Sequence, residues 1–180
     1  MCTRQWAAAR KLTVVLATLV LLMAGCGADP SARVWAASVC KALTPWRTTI
    51  ATLTSSTEQQ MRAQTTPAQA QENLVRLFAG AEQASETARS RVADAGVPDV
   101  EQGEEISAAF VAALAGMRDA YGKARRTIDE LDTGDDEAFY AGVDTAVQVL
   151  NAEYDASGLD TSGLNSEELQ EAFDEVPECR

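Results

Sequence analysis

Apolar residues recur every three or four positions in four stretches of this chain, and each stretch predicts an amphipathic helix. In the first, Trp35, Val39, Leu43, Trp46, Ile50 and Leu53 share one face, with Pro45 among them. Proline removes a main-chain hydrogen bond to the preceding turn, so a kink or a break is expected there. The second has an N-terminal signature: Thr66 as cap, Pro67 as first helical residue, Gln69 placed for a capping box and Gly96 as the stop. Its seam is Leu74, Leu77, Phe78, Ala81, Ala84, Ala88, Val92 and Ala95. A third helix is expected from near Asp99, behind Pro98, with Ile106, Phe110, Leu114, Met117, Tyr121, Ala124, Ile128 and Leu131 inward. The fourth spans about 135–154, with Phe139, Val143, Val147 and Leu150 inward.

The intervening stretches set the topology. Residues 55–66 are polar and read as a loop, whereas Val97-Pro98 and Thr133-Gly134 read as tight turns. Connections that short force neighbouring helices antiparallel. Residues 155–163, rich in Gly, Ser and Asp, read as a connector, after which Leu169, Ala172, Phe173 and Val176 mark a short final helix starting near Ser166. The fold class that follows is all-α, an up-down antiparallel bundle of about four helices plus a short C-terminal helix.

The first residues follow a different logic. Arg4, Arg10 and Lys11 precede an uncharged run, residues 12–23, whose only polar members are Thr13 and Thr18. Twelve helical residues span about 18 Å, well short of the roughly 30 Å a transmembrane helix must cross, so the segment reads as a removable signal. It ends in Leu22-Met23-Ala24-Gly25-Cys26, which resembles a bacterial lipobox, with Met23 three positions before the cysteine where Leu is usual. The resemblance implies a diacylglyceryl thioether on Cys26, cleavage before it and a cell-membrane address on the extracytoplasmic face. Ordinary secretion with cleavage within residues 25–28 is the alternative, because small residues abound there.

Of four cysteines, Cys2 departs with the signal and Cys26 would carry lipid, leaving Cys40 and Cys179. Two remaining thiols in an exported domain suggest a disulfide, with two separate thiols as the alternative. Such a bridge would press the last helix against the first. The chain thus divides into residues 1–25 (removed signal), 26–31 (lipidated cysteine and tether), 32–154 (bundle) and 155–180 (acidic connector and tied-back short helix).

Charge is unevenly spread: residues 129–180 hold 16 acidic side chains against Arg180 alone, whereas residues 26–128 hold 11 of each sign. Nucleic acid is excluded as a partner, since binding it needs clustered Lys and Arg against phosphates. The acidic end is a solubilising surface or a dock for a basic protein partner or a divalent cation. Residues 27–31 let the domain stand at most about 17 Å from an anchor at Cys26. Basic Arg33, Lys41 and Arg47 on the anchored helix are expected to face an anionic bilayer, with the acidic tail turned away.

Catalytic equipment is sparse. The chain has no histidine, the commonest general base and transition-metal ligand. Ser38-Val39-Cys40-Lys41 matches Ser-x-x-Lys, but no Ser-Asp-Asn or Lys-Thr-Gly follows. Adjacent carboxylates such as Glu104-Glu105, Asp135-Asp136 and Glu167-Glu168 diverge on a helix. Asp132, Asp135, Asp136 and Glu137 crowd one turn, and Asp155, Asp160 and Asn165 line the connector, without the spacing of an EF-hand. No catalytic residue, metal ligand or cofactor is assigned. Finally, the run from Trp35 through Cys40 to Trp46 is similar to the start of small helical secreted proteins and lipoproteins of actinobacteria, a group that implies no activity. The expectation is a non-enzymatic, lipid-anchored interaction or structural protein. Carriage of a lipid or other small molecule between helices is the alternative, and an acidic cation-binding module the second.

Overall fold

The computed structural model describes residues 29–62, 65–157 and 166–180. Among them are five α-helices and no strand: α1 Ala32–Met61, α2 Pro67–Asp94, α3 Gly103–Asp129, α4 Asp136–Ala156 and α5 Glu167–Glu175, the last followed by a 3-10 turn, Pro177–Cys179. The all-α bundle expected from the sequence is the observed fold. The proposed signal, Cys26 and residues 158–163 of the connector lie outside the described residues.

Helix pairing is antiparallel and legible from side-chain register. Trp46 meets Ser85 and Leu53 abuts Gly80 between α1 and α2. Glu86 meets Arg118 and Glu82 meets Arg125 between α2 and α3, and Lys123 pairs with Glu153 between α3 and α4. Helix α2 is central because Ala81 and Ala88, both buried, let backbones approach closely. The side of α3 left over is shared: α4 covers its C-terminal half, while α5 with α1 covers its N-terminal half, where Phe173 stacks on Phe110 at 6.0 Å.

Three boundaries differ from expectation. Helix α1 runs unbroken through Pro45 and takes in residues 55–61. Pro45 sits on the exposed side, where water can satisfy the carbonyl it orphans. Residues 55–60 are all polar, yet Thr57 is buried between half-buried Leu53 and Met61, so each of these turns still faces the bundle. Helix α3 starts at Gly103 rather than near Asp99, because residues 99–102 form a turn in which Gln102 takes the left-handed conformation (φ 62°). The N-terminus of α2 is as read: Thr66 accepts from the Gln69 amide and donates its own amide to the Gln69 side chain.

Candidate functional site

The described chain begins beside the loop that joins α2 to α3. The Pro30 carbonyl accepts the Asp99 amide at 2.9 Å, which fixes the start of α1 against that loop. Gly96, at φ +77°, turns its carbonyl inward, where it accepts both Trp35 Nε1–H at 3.0 Å and Ser107 Oγ–H at 2.9 Å. One oxygen therefore joins three elements. Asp29 and Pro30 therefore lie at the end of the bundle farthest from the start of α4.

Cys40 and Cys179 are joined by a disulfide, with Cα atoms 5.0 Å apart and a sequence separation of 139. The short C-terminal helix lies against α1 as the bridge required: Leu169 and Val176 are fully buried, and Phe173 meets Trp35 edge-on at 6.1 Å. Exposed ion pairs, Arg33 to Glu175 at 3.0 Å and Lys41 to Glu178 at 3.3 Å, flank the contact. Glu178 is held below the usual carboxylate range by a backbone hydrogen bond and by Lys41. Arg33 and Lys41, two of the three basic residues read on this helix, are thus paired with carboxylates of the acidic tail, which lies beside them along α1.

A second polar feature, not anticipated, runs along the α2–α3 seam. Glu86 accepts from Arg89 on its own helix and from Arg118 Nη1 at 2.8 Å across the seam, and Arg118 also holds Asp119. These hydrogen bonds, Arg89 first and Arg118 second, bring the Glu86 carboxyl down to about 2. Held in this way, Glu86 serves as the shared acceptor that ties α2 to α3. The Arg89 pairing at three-residue spacing is visible in sequence; the Arg118 and Arg125 partners are not, because they depend on how α2 and α3 are registered. Gln71 is another such residue: its amide donates to the carbonyls of Ile128 and Leu131, each at 2.9 Å, capping the C-terminus of α3 from a different helix.

The remaining candidates are occupied by structural tasks. Ser38 donates to the Val34 carbonyl at 2.9 Å, and Lys41 is paired with Glu178, so the Ser-x-x-Lys match brings neither group to a substrate. Tyr121 is pushed up to about 12, mainly by burial. Asp132 accepts the Gly134 amide and Asp135 caps α4 through the Ala138 amide. Among the described residues no three carboxylates or cysteines converge as a metal site, while Asp160 and Asn165 lie outside them.

Between α3 and α4 an open depression of about 500 Å³ is lined by Gly116, Asp119, Ala120, Lys123, Arg126, Glu153, Ala156 and Ser157. Small residues create it, and its charges balance across the rim. No helix among the described residues is long and apolar enough to cross a membrane. No protein-family model, curated protein or solved structure matches this chain.

Proposed function

We propose that this protein is an exported lipoprotein, held by a lipid on Cys26 to the extracytoplasmic face of the cell membrane, where its helical body acts as a non-enzymatic interaction module. The observation that carries the reading is Leu22-Met23-Ala24-Gly25-Cys26 at the end of a basic, then apolar, segment too short to span a bilayer. The Cys40–Cys179 bridge supports it, since such bonds persist in oxidising, extracytoplasmic surroundings. For the non-enzymatic part, the support is the use made of polar groups. Glu82, Glu86, Arg118 and Arg125 hold helices together, and Asp135 and Ser166 cap them.

Growth with a palmitate analogue tests the anchor. The native protein takes up label and sediments with membranes, and Cys26→Ser abolishes both; an unlabelled native protein released into the medium overturns the reading. A second reading, carriage of a small molecule, is favoured only by the α3–α4 depression. Native mass spectrometry of protein purified from its own cells, showing a bound small molecule at near-stoichiometric occupancy, is the result that would support it over an empty module.

A further inference from the structure

We infer that the outer edge of α4 is a docking surface for a basic amphipathic helix of a protein partner. The inference rests on the interaction-module reading and adds the site and the chemistry of its occupant. Along α4, Tyr140, Val143, Val147, Leu150 and Tyr154 recur at spacings of three and four, forming one stripe. The stripe does not end in the core. Leu150 is buried and the two valines are half-buried, but Tyr140 is 41% and Tyr154 39% exposed. The core position beside Tyr140 is taken by Phe139, which is 1% exposed and holds the Tyr140 ring edge-on at 5.1 Å. At the other end Tyr154 lies one turn beyond buried Leu150 on the same face of α4. Two large amphipathic rings about 21 Å apart along the helix, the first held by Phe139, suit the anchor role that Tyr plays at interfaces. Helix α4 packs mainly on α3 and meets α2 only slightly, and α1 does not pack beside it, so Tyr140 and Tyr154 stay exposed at the two ends of the stripe.

The flanking charge selects the occupant. Glu137, Asp144 and Asp155 line the solvent side of the stripe, and α4 contains no Lys or Arg. A second copy of this chain would bring like carboxylates together, and an anionic lipid surface is repelled for the same reason. A partner helix with its own apolar stripe and Lys or Arg beside it meets both features, as flanking charges do in paired helices.

The test uses the intact protein and a fluorescent 21-residue helical peptide with apolar a and d positions and Lys at e and g, alongside the same peptide with Glu at e and g. The Lys peptide is expected to bind saturably, more weakly as salt rises, with the largest amide shifts at Tyr140, Val147 and Tyr154. The triple variant Glu137→Lys, Asp144→Lys, Asp155→Lys, all exposed positions, lowers its affinity about tenfold and transfers preference to the Glu peptide. Tyr140→Ala weakens both variants' binding without altering the charge preference. Absence of saturable binding, equal binding of the Glu peptide, shifts confined to other faces, or self-association through Tyr140 overturns the proposal. Photo-crosslinkers at Gln148 on α4 and at Ser90 on α2, used in intact cells, separate the two readings. Crosslinks from Ser90 alone sink the α4 site and leave an interaction module; none from either position sinks both.

Discussion

At the end of the bundle nearest Asp29, α1, α2, α3 and α5 meet around Trp35, Phe110, Leu114 and Leu169, all buried, and a disulfide closes the contact. At the opposite end α2, α3 and α4 surround Phe78, Tyr121, Ile128 and Leu150, with Leu74, Leu77, Val143 and Val147 only half-covered. The same α2 and α3 serve both ends, so the contrast comes from what is laid over them. A nine-residue helix is too short to hold its shape alone and depends on its bridge and its apolar face. Helix α4, at 21 residues, is held by packing on α3 and keeps an edge free. One small domain thus joins an end closed by a covalent bond to an end whose outermost helix leaves two tyrosines exposed.

The bridge offers the sharpest way to break this contrast. In the chain-entropy account, opening a loop of 139 residues removes about 5 kcal/mol of stability, as an upper value. Cys179→Ser should lower the denaturant midpoint accordingly, and hydrogen exchange should accelerate first in α5 and the first half of α1. Amides of α4 exchanging as fast as those of α5 in the variant would show that the two ends are not separately held.

Trp35→Ala comes next. Trp35 is fully buried, edge-on to Phe110 at 5.3 Å, and bonded to the Gly96 carbonyl, so its loss should cost about 3–5 kcal/mol. Leu150→Ala, at the open end, should cost about 2–3 kcal/mol because a half-covered neighbourhood collapses more readily into the space. Equal losses by urea unfolding would erase the difference between the ends.

How much of this was readable beforehand follows the same division. The elements of the closed end were legible because each carries a local signal: Trp35 and Val39 in helical period, Cys40 and Cys179 left over by elimination, Ser166 ahead of Leu169 and Ala172. Residues 55–61 were not, since Ser, Thr and Gln carry no apolar period and the burial of Thr57 becomes visible only in the folded helix. The charge seam was half legible, as Glu86 and Arg89 share a helix whereas Glu86 and Arg118 meet only once two helices are in register. The pairing of Arg33 with Glu175 and of Lys41 with Glu178 was not legible, because it takes shape only once the disulfide lays the tail on α1 in one register.

Gly96→Ala probes the junction at a smaller scale. The residue sits at φ +77°, where a Cβ costs about 1–2 kcal/mol, and its carbonyl is the shared acceptor for Trp35 and Ser107. A thermal midpoint lowered by a few degrees, with a shifted Trp35 indole N–H resonance, is the expected result. Unchanged stability would mean that the loop finds another conformation without loosening α1.

The smallest effect is one of pH, and it lies between the two ends. Glu86 has its folded pKa depressed to about 2 by Arg89 and Arg118, against an ordinary value of 4.5. A depressed carboxyl contributes stability that is present above its unfolded pKa and lost as pH falls through the folded one, so the loss runs from about 4.5 down to about 2. The Glu86 side chain is 38% exposed, enough for water and salt to screen the pair, so the change in stability should be slight even though the titration shift is large. Carbon-detected NMR of the Glu86 carboxyl should give a midpoint near 2 in the native protein and a value close to 4.5 in Arg89→Gln/Arg118→Gln. Because Glu86 joins α2 to α3 midway along the bundle, its protonation should loosen the closed and open ends alike; acid-induced exchange confined to α4 would place the weak point in α4's own carboxylates instead.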